Sequence, residues 1–145
     1  MHYGNREAEA GMYLFDTDTI TNILKKKPSL KVLNHLKTVD PSDQHICTIT
    51  ISEIVYGAYK SARPDYHIGN LQNILLPAVN IVGFDSKAAY ICGRLRARLE
   101  AEGASLPIAD LQIAAIAMVN ELILVSGNLK HFKRIRGLTV ENWLS

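Results

Sequence analysis

The segment MYLFDTDTI, residues 12–20, decides how the fold of this chain is interpreted. Met12 to Phe15 is an uninterrupted apolar run, which is typical of a strand buried on both faces of a parallel sheet. Asp16 ends the run, and from Thr19 the apolar residues recur at helical spacing as far as Leu24. The segment therefore predicts a buried strand, then an acid at the point where the strand ends, then a helix.

The same alternation continues along the chain. Further strands are predicted from β-branched and apolar runs at 45–51, 78–84, 122–125 and 138–141. Helices are predicted from spacing and end signals at 29–38, from 52 toward Pro64, at 66–76, from 85 or 86 toward Gly103, and from 107 or 108 to 119. Strands that alternate with helices predict an α/β fold, in which a central parallel β-sheet carries helices on both faces.

Length and composition predict one globular domain without a membrane segment. The chain has 145 residues, of which 48% are hydrophobic and 21% charged, and this balance argues against disorder. No apolar run is long enough to span a membrane, and the polar first eleven residues do not resemble a secretory signal, so a cytoplasmic location is expected. We expect residues 1–11 to be a flexible N-terminal extension or a remnant of cloning, and 12–145 to form the domain. Cys47 and Cys92 lack the spacing of a zinc site or of a disulfide framework.

Acidic and polar residues recur where the predicted strands end. Asp16, Glu53 and Ser126 fall at or just past such ends, where the functional groups of open α/β sheets gather. Asp110 belongs to the first turn of a helix rich in Ile and Ala, from which its side chain could reach the same edge. Each acid alone could also cap a helix or interact with its dipole, and Thr50-x-x-Glu53 matches a capping box.

Taken together, these carboxylates predict a site for a hard cation. Several carboxylates at one sheet edge repel one another unless a cation lies among them. Mg²⁺ and Mn²⁺ prefer oxygen ligands and keep water for a phosphate substrate, and no cluster of cysteine and histidine offers a zinc alternative. Such an ion can activate water and neutralise charge at a phosphodiester.

Basic residues are clustered although the net charge is only +2. The clusters lie at Lys25 to Lys27, around Arg94 to Arg98, and from Lys130 to Arg136. Each could be an ordinary solvated surface. Beside an acidic site they favour a surface that follows phosphates, and we predict RNA contacts at Arg94, Arg98, Lys133 and Ser126.

Four motifs in order resemble the PIN-domain family, and their ending resembles VapC-type toxins. They are YLFDTD at 13–18, ISEIVYG at 51–57, PIADLQIAA at 107–115, and LVSGNLKHF at 124–132, followed by Gly137-Leu138 and Glu141-Asn142-Trp143. The resemblance covers nearly everything from Met12 to Trp143. It implies a single PIN-like nuclease domain with Mg²⁺- or Mn²⁺-dependent endoribonuclease activity. It also implies a homodimer that is silenced by a cognate VapB-like antitoxin, as in type II toxin–antitoxin pairs.

Carried over residue by residue, the resemblance makes Asp16, Glu53 and Asp110 the catalytic metal ligands and adds Asp18 as a further site residue. The chain departs from the family at the fourth motif, where many relatives have an acid and this chain has Asn128 and His131. Asn128 can coordinate through its carbonyl or through a water, which leaves one metal or two open. We expect His131 to be a surface residue.

Two other functions fit part of the pattern. Residues 16–19 also match the DxDxT start of haloacid-dehalogenase-like phosphatases, in which Asp16 would be the nucleophile. The late acidic pair of that class is missing at Ser126 to Asn128. Because the fourth acid is absent, a non-catalytic PIN-like interaction module is the remaining alternative.

Overall fold

The computed structural model of the chain describes residues 11–144, so all but the last residue of the predicted extension at 1–11 lies outside the described part. Its centre is a five-stranded, fully parallel sheet in the order β3-β2-β1-β4-β5. The strands are Tyr13–Phe15 (β1), Gln44–Cys47 (β2), Asn80–Val82 (β3), Ile123–Val125 (β4) and Val140–Glu141 (β5). The predicted α/β fold with a central parallel sheet is confirmed.

Seven α-helices connect and cover the strands within the described residues. They are Thr17–Ile23 (α1), Leu30–Lys37 (α2), Thr48–Lys60 (α3), Pro64–Asn70 (α4), Ser86–Ala101 (α5), Ile108–Val119 (α6) and Leu129–Phe132 (α7). A π-helical turn at Leu71–Leu75 and a 3₁₀ turn at Leu76–Ala78 extend α4, and another 3₁₀ turn at Pro41–Asp43 precedes β2. None of the helices within residues 11–144 is long and apolar enough to cross a membrane.

The central strands are buried on both faces, as the apolar runs predict. Leu14 of β1 and Leu124 of β4 join a core with α5 and α6 on one face of the sheet. Phe15 and Val125, the next residues along, join a second core with α1, α2 and the side chain of Trp143 on the other face. This alternation follows from the two-residue period of a strand, and it explains why β1 and β4 are apolar throughout.

The chain changes from strand to helix earlier after β2 than its residues suggest. A strand was predicted over 45–51, but β2 ends at Cys47 and α3 begins at Thr48. The β-branched run at 48–51 favours a strand locally, yet Thr50 and Ala58 are buried on one side of a helix. Packing of this face outweighs propensity, which is a weak determinant. The predicted capping box at Thr50 and Glu53 is therefore wrong, because both residues lie inside α3.

Candidate active site

An open cavity of about 580 Å³ lies beyond the carboxyl ends of the central strands. Its lining contains the acids and the amide that the sequence singled out: Asp16, Asp18, Glu53, Asp110 and Asn128. These residues come from the β1–α1 junction, from α3, from the first turn of α6, and from the turn between β4 and α7. The parallel sheet brings these segments together because its strands all end at the same edge.

Asp16 is the most buried acid of the cavity, with 6% of its surface exposed. Its side chain accepts a hydrogen bond from the Thr19 backbone N–H at 3.2 Å and so caps α1, while its own N–H donates to Val125 O at 3.0 Å. Burial is the main reason that the pKa of Asp16 rises from 3.8 to about 8. A hydrogen bond with Asp18 and the charge of Asp18 raise it further, whereas hydrogen bonds from Ser126 and Thr19 lower it. Capping and a place in the site are thus compatible roles for Asp16.

Asp18 approaches the β4–α7 turn at a glycine. A Cβ atom added to Gly127 would lie 2.9 Å from Asp18 Oδ2 and 3.2 Å from Leu144 Cδ1. Since real Cβ atoms do not approach that closely, any larger residue at 127 would displace the carboxylate or the turn. The glycine therefore allows Asp18 to reach its position beside Asp16.

Glu53 is held from the β1–α1 junction rather than by its own helix. The Thr17 hydroxyl donates a hydrogen bond to Glu53 Oε1 and lies 3.3 Å from the hydroxyl of the buried Thr50. This pair of threonines orients an otherwise exposed carboxylate toward the cavity. Thr17 lies within the first motif but was not singled out by our sequence analysis, and Thr50 was considered there only as part of a capping box.

Asp110 is paired with a histidine. His131 Nδ1 lies 3.1 Å from Asp110 Oδ2, and the side chains are 37% and 21% exposed, respectively. Asn128 Nδ2 lies 3.0 Å from the same His131 nitrogen. The expectation that His131 is only a surface residue is at odds with this contact. Its place three residues after Asn128 in a helical turn was the signal that could have revealed it.

The donors of the cavity fit a hard divalent cation in their chemistry. They are carboxylate oxygens together with the amides of Asn22 and Asn128, and a cation is the partner that carboxylates at one edge favour. The pKa of Asp16 is raised mainly by burial and further by its neighbour Asp18. Within residues 11–144, no three His, Cys, Asp or Glu side chains are grouped closely enough to form a ready ligand set. The side chains would therefore have to converge around an ion.

Comparison with known proteins decides the family. The PIN-domain profile matches residues 13–138. The chain belongs to the PIN-domain family. Membership favours the nuclease over the phosphatase alternative for Asp16-Thr17-Asp18.

Several relatives of this PIN domain carry names that describe their activity. "Ribonuclease VapC2" of Haemophilus influenzae is 33% identical over 132 residues, which is 91% of this chain and 98% of the relative. "tRNA(fMet)-specific endonuclease VapC" of Salmonella typhimurium is 30% identical over 134 residues, with 90% and 97% covered. Among solved structures, VapBC2 from Rickettsia felis bound to a promoter DNA fragment superimposes with a TM-score of 0.83 at 31% identity, covering 90% of this chain and 98% of the other.

The residues predicted to contact RNA do not line the cavity of this PIN domain as the acids do. Arg94 and Arg98 are exposed on α5, and Lys133 is exposed at the end of α7, but none is among the described residues that line the cavity. Ser126 is completely buried, which is at odds with the predicted contact to RNA. Its hydroxyl instead accepts from the Asn128 N–H at 2.9 Å and hydrogen-bonds Asp16.

One basic residue at the cavity was missed as a site residue. Of the described residues that line the cavity, Lys25 alone is basic, and it lies exposed just after α1. The signal was the run Lys25-Lys26-Lys27, which the sequence analysis noted but did not connect with the acids.

Proposed function

We propose that this chain is a Mg²⁺- or Mn²⁺-dependent endoribonuclease and the toxin of a type II toxin–antitoxin pair. The observation that carries the proposal is the single cavity at the carboxyl edge of the sheet that Asp16, Asp18, Glu53 and Asp110 all line. The relatives named as ribonucleases support the same chemistry for this chain.

The proposed ligands of the cation are Asp16, Glu53 and Asp110, with Asp18 as an additional oxygen donor. A divalent ion bound there supplies positive charge against a scissile phosphate and lowers the pKa of an attacking water. The chain's own part is to fix the carboxylates before substrate arrives. Ser126 and Thr19 hold Asp16, and Thr17 holds Glu53.

The substrate side of the cavity needs groups that attract an anion. Lys25 contributes a positive charge at the cavity, and the exposed Arg94, Arg98 and Lys133 would bind phosphates farther along an RNA chain. Electrostatic attraction of this kind holds a backbone without reading its sequence.

The expected partners are a VapB-like antitoxin and a second copy of the chain. The support is the likeness to VapBC complexes at TM-scores of 0.83 and identities of 30% or more. A toxin that cleaves cellular RNA would act in the cytoplasm.

The test is RNA cleavage by the purified, antitoxin-free protein with Mg²⁺, with Mn²⁺ and with EDTA. We expect cleavage only with a metal, and a loss of a hundredfold or more for Asp16→Asn and Asp110→Asn, as for other electrostatic catalytic groups. Asp65→Asn, an exposed acid of α4 outside the cavity, is the matched control and should be as active as wild type.

Undiminished cleavage by the Asp16→Asn protein, with contaminating nuclease excluded, would contradict the proposed mechanism. A wild-type protein that neither cleaves RNA nor binds Mn²⁺ would instead favour the non-catalytic interaction module.

A further inference from the structure

His131 touches the site from an element that carries none of the four acids. It lies in α7, whereas Asp110 lies in the first turn of α6, and the two side chains meet at 3.1 Å between Nδ1 and Oδ2. Because the two residues belong to separate helices, their contact is produced by the packing of these helices and not by the geometry of one helix. His131 is therefore placed where it can influence Asp110.

The backbone fixes His131 relative to Asn128. The Asn128 carbonyl accepts from the His131 N–H at 3.1 Å and from the Phe132 N–H at 3.4 Å. Phe132, with 1% of its surface exposed, and Ile135, with 3%, anchor this short segment in the core. Since the turn is anchored, the imidazole ring is presented to Asp110 by a rigid support.

The contact determines where the proton of His131 lies. An ionised carboxylate only accepts hydrogen bonds, so an unprotonated Nδ1 would set a lone pair against the Asp110 oxygen at 3.1 Å. Nδ1 therefore carries a hydrogen and donates it to Oδ2. This holds for the neutral ring and for the charged ring alike, and it leaves the second oxygen of Asp110 free.

The same proton determines the orientation of the Asn128 amide. One end of the amide lies 3.0 Å from His131 Nδ1, and an N–H cannot accept a hydrogen bond from an NH₂ group. The oxygen and nitrogen of an amide exchange places on a half turn of the side chain without a change of shape. The single Nδ1 hydrogen can be shared between Asp110 Oδ2 and an amide oxygen, whereas an NH₂ group facing it would be repelled. This favours the orientation in which the Asn128 oxygen faces His131 and the NH₂ group points away from it.

We propose that His131 is a positioning residue that fixes Asp110 and, through its Nδ1 proton, makes Asn128 a hydrogen-bond donor to a phosphate of the RNA rather than an oxygen ligand of the metal. Asn128 lines the acidic cavity, so its NH₂ group is available to an anion held there. The inference rests on the proposed function and assigns two of its residues. It removes the amide from the ligand set and leaves the carboxylates to hold the cation.

The role of His131 can be tested by measuring the affinity of the RNA-free protein for Mn²⁺ with calorimetry or electron paramagnetic resonance. An asparagine at 131 places an amide N–H near the position of Nδ1, whereas a glutamine places it near that of Nε2. We expect His131→Gln to weaken Mn²⁺ binding about tenfold or more, and His131→Asn to stay within about threefold of wild type, because partners of metal ligands typically contribute a factor of this size. Lys130→Gln, at the neighbouring exposed position, is the control and should bind Mn²⁺ as wild type does.

The role of Asn128 can be tested with two substitutions. Asn128→Ala should leave Mn²⁺ affinity unchanged. In an Asp16→Asn background that prevents cleavage, Asn128→Ala should weaken binding of a single-stranded RNA oligonucleotide about tenfold, the effect of a lost hydrogen bond to a charged group. Asn128→Asp, which keeps an oxygen for His131 but replaces the NH₂ group with a negative charge, should weaken RNA binding further.

Each outcome decides something definite. Equal Mn²⁺ affinity of wild type, His131→Gln and His131→Asn, with all three folded by circular dichroism, would overturn the positioning role. A tenfold loss of Mn²⁺ affinity in Asn128→Ala would show that the amide is a metal ligand after all. A wild-type protein that does not bind Mn²⁺ would overturn this inference together with the proposed function. A wild-type protein that binds Mn²⁺ no more tightly or weakly than its His131 variants would overturn the inference alone.

Discussion

The carboxylates on the two sides of the acidic cavity differ in burial and in the groups that surround them. On the β1 side, the buried Asp16 is crowded by Asp18, and its pKa is raised to about 8. On the α6 side, Asp110 is more exposed and has His131 at 3.1 Å as a partner from its own chain. The carboxylates of the first side lie against each other, whereas the carboxylate of the second side has a histidine as its hydrogen-bonding partner.

From this difference we expect the β1 side to depend more strongly on an added cation than the α6 side. A buried carboxylate beside another is unfavourable until a proton or a metal ion joins it. A carboxylate that already accepts a hydrogen bond from histidine is oriented in advance. We therefore expect substitutions on the two sides to affect the metal-free protein in opposite ways.

The largest expected difference concerns the stability of the metal-free protein as a function of pH. Asp16 has a pKa of about 8 in the folded chain against its ordinary 3.8, so folding binds its proton more tightly. The resulting stabilisation is complete below pH 3.8 and is lost as the pH rises toward 8, and a shift of this size amounts to several kcal/mol. Melting curves in EDTA should show Asp16→Asn gaining stability over wild type across this window, and Asp110→Asn should not gain. Equal gains for both variants would remove the distinction between the two sides.

The next effect is stabilisation by Mg²⁺. At a hundred times its dissociation constant, Mg²⁺ should stabilise wild type by about 2.7 kcal/mol, because it binds the folded state alone. Asp16→Asn should respond much less, and Asp65→Asn, outside the cavity, should respond as wild type does. If all three proteins shift equally in melting temperature, the ion stabilises them from some other place.

The smallest expected effect concerns Lys25, the basic residue on the crowded side. If it contacts an RNA phosphate, Lys25→Ala should flatten the dependence of log affinity on log salt by about 0.7, the value for one contact with a single strand. Arg96 pairs with Glu100 at 3.1 Å on the exposed face of α5. Arg96→Ala is therefore the control and should leave the slope unchanged. A slope unaffected by Lys25→Ala would place the phosphates away from the Asp16 side.

The sequence predicted the parallel sheet and the identity of the four acids. Short apolar runs indicate strands buried on both faces, and the carboxyl ends of parallel strands share one edge, so Asp16 was expected at that edge. Glu53 was expected at this edge because it follows a strand predicted over 45–51. In the structure it lies inside α3, which begins at Thr48, and its side chain accepts a hydrogen bond from Thr17. The identity of the site is thus carried by motif and period, both of which are local.

The tertiary structure alone decided how deeply each acid is buried and which groups lie beside it. Burial of Asp16, the approach of Asp18 to Gly127, and the contact of His131 with Asp110 each join segments that are distant in sequence or depend on solvent exclusion. A sequence states which residues can titrate or donate, because these are properties of the side chain. The dielectric around a carboxylate and the distance to its partner arise only when the sheet and helices pack.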